Sequence, residues 1–247
     1  MLRYLKRLGI GVTHSERSAT SKVGPAGFVE WDVPNWSVAL DFWRAHSAQH
    51  FASCSALEIG GRHGGLSLWL ALQGARVVCS DVARPSRKAV QTHAAAGVSH
   101  LIEYQQIDGT RIPYTERFDL VVFKSVLGAV GSRTGREGQA RAIAEMHRAL
   151  RPGGELFFAE NLVASPVHQF LRCRFIKWAT SWRYVSIEEM RQFLAPFGHV
   201  AYRAVGFAGA FGRNRVQQRF LSSVDRLFLD GVVPSGWRYI IVGVARK

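Results

Sequence analysis

The sequence predicts an α/β protein in which helices cover both faces of a doubly wound, largely parallel sheet. Short apolar segments alternate with helix-like segments from position 56 to position 160, and this alternation is typical of a parallel sheet. Hydrophobic residues make up 47% of the 247 residues and charged residues 20%. The chain can therefore bury a core, which excludes wholesale disorder.

The predicted strands are short apolar runs bounded by turn residues: 56–60, 76–80, 102–106, 118–124, 155–160, 200–205 and 239–245. The predicted helices have apolar residues at helical spacing: 34–50, 66–73, 85–96, 137–150, 187–194 and 211–229. Pro152 and two following glycines end the fourth of these helices. Ser186 and Glu189 have the spacing of a capping box, which begins the fifth.

The chain is predicted to form one domain, residues 34–247, preceded by a flexible N-terminal arm, residues 1–33, that shows little periodicity. The regular alternation ends after position 160, and a basic, aromatic insertion at about 163–230 is predicted to act as a lid. Cys54, Cys79 and Cys173 have neither disulfide nor metal-site spacing, so a reducing cytoplasm is expected. No metal ligand set is recognised, and no signal peptide is predicted.

The positive charge indicates an anionic partner. Lys and Arg number 32 against 18 Asp and Glu, a formal net charge of +14. Such a balance suits RNA, an acidic substrate or an anionic membrane surface. Phe175, Trp178 and Trp182 recur at spacings of three and four among basic residues, which predicts one helical face that either docks on a membrane or packs inside the lid. A peripheral position at the inner face of the membrane is therefore one expectation.

The strongest motif is a glycine-rich turn between the first predicted strand and the following helix. The segment reads ALEIGGRHGGLSLWLA, from Ala56 to Ala71, with glycines at 60, 61, 64 and 65. Glycines at a strand–helix turn let a ligand approach the backbone and allow positive φ. Glu58 would repel a phosphate but suits a positively charged ligand, which distinguishes this turn from a nicotinamide-binding loop.

Two downstream carboxylates are placed to bind an adenosine group. Asp81 lies 21 positions after Gly60, at the end of the second strand, where a carboxylate accepts ribose hydroxyls. Asp108 follows the third strand and could accept from an adenine amino group, although an Asp before Gly is also a common turn former. Both fall at the carboxyl edge of the predicted sheet, where ligands of such folds bind.

Together these motifs make the chain resemble a class I S-adenosylmethionine-dependent methyltransferase of the small-molecule type, from about Ala56 to Glu160. Glu58, Gly60 and Gly64 resemble the family's acidic glycine loop, Asp81 its ribose carboxylate and Asp108 its adenine contact. The segments 118–131 and 149–158 resemble those around its fourth and fifth strands. The resemblance implies a Rossmann-like sheet of seven strands with the last one antiparallel.

The resemblance also implies the cofactor, S-adenosylmethionine, the product S-adenosylhomocysteine, and a set of site residues. The residues expected at the cofactor are Glu58, Gly60, Gly61, Arg62, His63, Gly64, Asp81, Val82, Asp108, Gly109 and Lys124. One departure from the family is Arg62, which stands where a glycine is usual. Its side chain is expected to narrow the loop, point outward or reach the methionine carboxylate.

Catalysis by such an enzyme rests chiefly on positioning, because the sulfonium is already activated. A hydroxyl acceptor also needs a general base, and histidine is the usual choice. His168 follows the fifth strand and is the predicted base, while Ser125, Glu160 and Asn161 are the predicted substrate-side residues. Lys124 and Ser125 could also simply cap their loop.

The predicted reaction is methyl transfer to a hydroxyl of a small molecule, with a glycan or a lipid-linked intermediate also considered. An RNA methyltransferase is the first alternative, supported by the net charge. A non-catalytic cofactor-binding protein and a nicotinamide-dependent oxidoreductase are two more candidates, and Glu58 in the loop disfavours the oxidoreductase. The sequence does not indicate the oligomeric state.

Overall fold

The protein is described by a computed structural model, which covers residues 23–175, 182–212 and 214–247. Seven strands form one sheet in the order β3-β2-β1-β4-β5-β7-β6. The strands are β1 Ser55–Ile59, β2 Arg76–Asp81, β3 Ile102–Gln106, β4 Phe118–Lys124, β5 Leu150–Asn161, β6 His199–Val205 and β7 Ile240–Arg246.

The strand directions confirm the predicted doubly wound topology. β1 pairs in parallel with β2 and β4, and the parallel pairing continues to β3 on one side and β5 on the other. β7 lies between β5 and β6 and is antiparallel to both. The strand order reverses at β1 and β4, so the carboxyl ends of these two strands border the crevice in which ligands of such folds bind.

Ten α-helices are described around this sheet. They are α1 Ala26–Val29, α2 Val33–Trp36, α3 Val38–His46, α4 Gly65–Ala71, α5 Arg87–Ala95, α6 Leu127–Ala149, α7 Pro166–Phe175, α8 Ile187–Phe193, α9 Arg215–Val224 and α10 Asp230–Val232. The predicted capping box is present at α8, where Ser186 and Glu189 each accept a backbone N–H of the other residue. The predicted helix 137–150 begins ten residues earlier, at Leu127, and is broken at Gly135 by a φ of 67°.

The core lies in two layers because alternate strand residues point to opposite faces. Leu57 and Ile59 of β1 pack on the face covered by α6, where Met146 is fully buried. Ala56 faces the other layer, in which Trp43 and Trp69 pack against each other at 5.7 Å. Helices therefore cover both faces, and the ligand crevice is left at the carboxyl edge.

The N-terminal region differs from its prediction over the residues that can be described. Residues 1–22 of the expected flexible arm lie outside the described residues, but Val29 of α1 is fully buried and residues 26–36 are largely helical. Trp31, which follows α1, lines the candidate site. Residues 26–33 are therefore part of the folded domain, because their apolar side chains complete one core layer.

Within the predicted insertion 163–230, the described parts α7, the 3₁₀ turn 208–211 and α9 form a cap beside the carboxyl end of β5, whereas residues 199–205 are strand β6 of the sheet. The predicted helix 211–229 is divided, because residues 208–211 form a 3₁₀ turn and α9 begins only after Asn214, whose side chain accepts the Gln217 N–H. The helix then continues as a π-helical turn, Asp225–Leu229. Within the described ranges, no helix is long and apolar enough to cross a bilayer.

A buried polar cluster joins the N-terminal region to this cap. Asp32 accepts hydrogen bonds from the Tyr239 hydroxyl and from Asn35 Nδ2. Asp225 accepts the backbone N–H groups of Ala208 and Gly209 at 2.7 and 2.9 Å. The cluster therefore positions residues 26–36 and the cap relative to β7.

Candidate functional site

The glycine loop between β1 and α4 forms the floor of the site. Gly60 and Gly64 have φ values of 73° and 70°, which glycine adopts at little cost. A Cβ atom at Gly60 would overlap Val126, and one at Gly64 would overlap the imidazole of His93. Gly61 donates its N–H to the Ser80 carbonyl at 2.7 Å, which fastens the loop to β2.

The backbone of Arg62 helps to fix the conformation of the glycine loop. Its φ is 28°, an uncommon value for a residue with a side chain. Its N–H donates to Asp81 Oδ2 at 2.9 Å, and this bond holds the loop in that conformation. Arg62 is exposed and lines both cavities described below.

Glu58 has a structural contact in addition to its place at the cavity. Its Oε2 accepts the N–H of Ser67 at 2.9 Å and the Ser67 hydroxyl, which fixes the first turn of α4. Burial raises the pKa of this carboxyl above its usual value. Glu58 lines the first cavity, where an ionised carboxylate would favour a positively charged group.

Two adjoining cavities form one elongated cleft along this edge of the sheet. Their volumes are about 210 and about 220 Å³. The residues that line both are Gly60, Arg62, Ser125 and Trp182. Gly128 allows Trp182 to lie at this point, since a Cβ atom there would overlap the indole. The cleft thus has two lobes that meet beside Trp182.

The second cavity contains the predicted adenosine-binding end. Asp81, Val82 and Gly109 line it. Asp108 is exposed and is not part of the lining, because its Oδ1 accepts the N–H and the hydroxyl of Thr110, each at 2.9 Å. These bonds hold the pKa of Asp108 below its usual value. The structure therefore brings Asp81 into the cleft and leaves Asp108 at its rim.

The first cavity contains Lys124 and His63, with Ser125 at its junction with the second. His63 Nδ1 lies 2.9 Å from Ser86 Oγ, and its Nε2 lies 4.0 Å from Glu30 Oε1. Lys124 Nζ lies 4.5 Å from the Trp36 ring centroid and makes no hydrogen bond or ion pair within the described ranges. Burial lowers the pKa of its ammonium below the usual value, against the attraction of nearby carboxylates.

A third cavity, of about 110 Å³, adjoins the first through Trp31, which lines both. Asn161 also lines it, and Asn161 Nδ2 donates to Ser125 Oγ at 2.7 Å. The rest of the lining is mostly aromatic or apolar: Leu171, Tyr184, Ala210, Phe211 and Tyr239, with His168 and Arg172. We call this the acceptor cavity, because it meets the cleft beside the carboxyl ends of β4 and β5.

His168 lies at the acceptor cavity but does not fit the predicted role of general base. Its Nε2 faces the Phe207 carbonyl at 2.9 Å and must donate there, so Nδ1, 2.7 Å from Ser165 Oγ, accepts the serine hydroxyl. Both ring nitrogens are therefore occupied within the protein. Burial lowers the pKa of His168 to about 4, so the ring is neutral and only a weak base near neutral pH.

Glu160 lies beneath the site and does not border any of the three cavities. Its Oε2 accepts the N–H groups of Val126 and Leu127 at 2.8 and 2.7 Å, and its Oε1 accepts that of Asn161. Burial raises its pKa to about 7 despite these bonds. Glu160 therefore holds the loop that carries Ser125, and the prediction of a substrate contact does not match this position.

Several residues of the site are absent from the sequence predictions. Phe28, Glu30 and Trp31 belong to the region predicted to be a flexible arm, and together they wall the first cavity. Trp182, predicted to share a helical face with Phe175 and Trp178, lines the cleft, whereas Trp178 lies outside the described residues. The cluster of aromatic residues at 28–36 is the signal in the sequence that could have identified this wall.

Comparison with known proteins agrees with this site. Residues 57–158 match the methyltransferase domain family, a segment that begins in β1 and ends in β5. No curated protein is similar enough in sequence to count as a match.

Solved structures share the fold at low sequence identity. A putative methyltransferase from Bacillus halodurans is 17% identical with a TM-score of 0.57, over 85% of this chain and 99% of that one. A possible histamine N-methyltransferase from Thermotoga maritima is 15% identical with a TM-score of 0.57, over 94% and 97%. Phosphoethanolamine N-methyltransferase 2 of Haemonchus contortus, solved with S-adenosyl-L-methionine, is 15% identical with a TM-score of 0.61, over 95% and 58%.

At such low identities, the solved structures show only that the fold is shared. The family match covers the strands and loops that form the cleft. Residues 57–158 match a methyltransferase domain, and the sheet and helices around them have the fold of solved S-adenosylmethionine-dependent methyltransferases.

Proposed function

We propose that the protein transfers the methyl group of S-adenosylmethionine to a hydroxyl of a small, largely apolar molecule, and that Lys124 accepts the hydroxyl proton. The cleft fits the cofactor. It has two lobes, a floor that includes the backbone of Gly60, and the Asp81 carboxylate at one end. Glu58 borders the other lobe and would favour the cationic part of the cofactor.

The amine of Lys124, which has no hydrogen-bond partner among the described residues, is the observation that carries the hydroxyl assignment. Lys124 is the last residue of β4 and lines the first cavity, which adjoins the acceptor cavity at Trp31. A buried lysine is deprotonated more readily than a solvated one, and its neutral amine can take a proton from a hydroxyl. Ser125, held by Asn161, lies next to it and can orient that hydroxyl.

The acceptor cavity supports a small apolar acceptor. A cavity of about 150 Å³ lined by apolar side chains holds one benzene ring; the acceptor cavity measures about 110 Å³, so an aromatic acceptor would extend into the adjoining first cavity. Arg172 lines it and is fixed by hydrogen bonds to the carbonyls of Leu162 and Val163 at 2.8 and 3.0 Å. An ammonium acceptor would meet this cation, which favours a neutral hydroxyl over a protonated amine.

When bound, S-adenosylmethionine would supply an activated methyl group, and its carbon–sulfur bond would break as the bond to the acceptor oxygen formed. The hydroxyl proton moves to Lys124 Nζ, and S-adenosylhomocysteine remains. Trp31 and Trp182 line the first cavity and would limit the access of water to the methyl group, which would reduce its loss to hydrolysis.

Matched substitutions of Lys124 test the proposal. Lys124→Met removes the charge and the base, whereas Lys124→Arg keeps the charge but cannot act as a base near neutral pH. We expect both variants to lose at least about 100-fold in kcat with a panel of hydroxylated aromatic compounds, since general-base catalysis contributes 10²–10⁴-fold. Calorimetry should show both variants binding S-adenosylhomocysteine within about threefold of wild type.

The pH profile supplies a second readout. The wild-type kcat should rise with pH through an apparent pKa below the usual lysine value, because the base acts when it is neutral. Activity retained by Lys124→Arg, together with weakened S-adenosylhomocysteine binding in Lys124→Met, would instead make Lys124 a ligand of the cofactor carboxylate. Methylated amines as the sole products in a cell extract would contradict the hydroxyl assignment, and cofactor binding without any product would indicate a non-catalytic protein.

A further inference from the structure

The helix formed by α9 and the following π-helical turn presents its apolar side chains outward. Val216, Phe220 and Leu227 are 78%, 69% and 74% exposed. Their spacings of four and seven place them on one face. The opposite face carries Ser222 and Asp225, which are buried and hydrogen-bonded in the polar cluster around Asn35. This is the reverse of an ordinary surface helix, which buries its apolar face.

A second helix of the cap adds to this surface. Val167 and Phe170 of α7 are 53% and 66% exposed. His168, between them in the chain, bonds to the Phe207 carbonyl and stacks on Phe211 at 4.6 Å. The turn 208–211 is in turn held to the π-helical segment by Asp225. Both helices therefore belong to one packed cap, whose exposed apolar side chains we call the cap surface.

The charge beside this surface is positive. Arg215 and Arg219 lie one turn apart on α9, and the chain has no acidic residue from position 190 to position 224. Between positions 161 and 224 there are nine Lys and Arg against two Glu, and Glu189, one of the two, is paired with Arg183. An apolar stripe with arginines at its flank is typical of a helix that lies in a membrane interface.

We propose that the cap surface docks on an anionic lipid bilayer, with Phe220 and its neighbours inserted at the headgroup level and Arg215 and Arg219 at the lipid phosphates. Charge complementarity selects this partner. A second copy of the chain would bring the same arginines into contact, which like charges oppose. An RNA would pair with the arginines but would leave the apolar stripe in water. The docking does not depend on the identity of the methyl acceptor.

Vesicle sedimentation with the full chain tests the docking without any turnover. The protein is mixed with phosphatidylcholine vesicles, with and without phosphatidylglycerol, at about 0.05 M and about 0.5 M salt. We expect binding only to the anionic vesicles, and weaker binding at high salt. Phe220→Ser should weaken it at least about tenfold. Arg215→Gln and Arg219→Gln should each weaken it about fivefold, the value for one basic residue near an anionic membrane.

Two substitutions on α5 serve as matched controls, since Val90 and Arg87 are also exposed. Val90→Ser and Arg87→Gln should bind vesicles as the wild type does, and circular dichroism melts should show that all five variants are folded. Three results would overturn the proposal. They are equal effects of the α5 and cap variants, a dimer in light scattering that Phe220→Ser dissociates, and tight RNA binding that Phe220→Ser leaves unchanged. Equal binding to neutral vesicles would also reject the charge-based argument.

Discussion

Substitution of Asp81 tests the cofactor cleft most directly, because each of its two carboxylate oxygens has an identified hydrogen-bond donor. Oδ2 accepts the Arg62 N–H at 2.9 Å, and Oδ1 is 3.3 Å from the N–H of Ala83. A carboxylate has about four acceptor positions, so two remain for the ribose hydroxyls. Asp81→Asn keeps the volume of the side chain but removes its charge and replaces one acceptor oxygen with a donor.

The free energy of cofactor binding that Asp81→Asn should lose follows from these hydrogen bonds. A hydrogen bond to a charged group contributes about 1.5–3 kcal/mol and a neutral one about 0.5–1.5 kcal/mol. Each weakened bond therefore costs about 1–1.5 kcal/mol and the two together about 2–3 kcal/mol of cofactor binding, and the lower value applies because Asp81 is only half-buried. Since 1.4 kcal/mol corresponds to a tenfold change, the Kd for S-adenosylhomocysteine should rise about 30-fold.

Isothermal titration of S-adenosylhomocysteine into wild type and variant measures this change. Asp41→Asn is the matched control, because the Asp41 side chain is 84% exposed on α3 and borders none of the cavities described. It should leave the Kd unaltered. An Asp81→Asn Kd within twofold of wild type, with unchanged thermal stability, would show that Asp81 does not bind the ribose.

Two further predictions concern stability. Gly64→Ala and Gly97→Ala both place a side chain at positive φ, but only the former also meets a neighbour, the His93 ring. Urea denaturation should therefore show Gly64→Ala to be less stable than Gly97→Ala by about 1–3 kcal/mol, and equal losses would contradict the close approach of the His93 ring to the loop. Burial raises the pKa of Asp32 from 3.8 to about 6, so this group contributes stability that is complete below pH 3.8 and is lost as the pH rises through 6. Asp32→Asn should remove that loss, gaining up to about 3 kcal/mol relative to wild type between pH 4 and pH 7 in thermal melts; a constant difference over that range would contradict it.

The fold and much of the cofactor cleft could be predicted because their signals are local. The seven predicted strands lie within a few residues of their observed bounds, since each depends on a short apolar run between turn residues. Gly60, Gly64 and Asp81 could be assigned because a strand, a tight turn and a helix fix their relative positions over about 20 residues. The local sequence at Asp108 was equally consistent with a turn former, and the two hydrogen bonds that Asp108 accepts from Thr110 show that it stabilises a turn.

The acceptor cavity is formed by contacts between distant parts of the chain. Asn35 bonds to Tyr239 across 204 positions, and His168 bonds to Phe207 across 39. Local patterns were enough to predict the sheet and the glycine loop, because periodicity and turn geometry act within one strand–turn–helix unit. Three features instead depend on long-range packing: both nitrogens of His168 are occupied, Trp31 lines two cavities, and Lys124 has no hydrogen-bond partner among the described residues. Burial and pairing depend on which distant side chains fill the same space, and no local pattern carries that information.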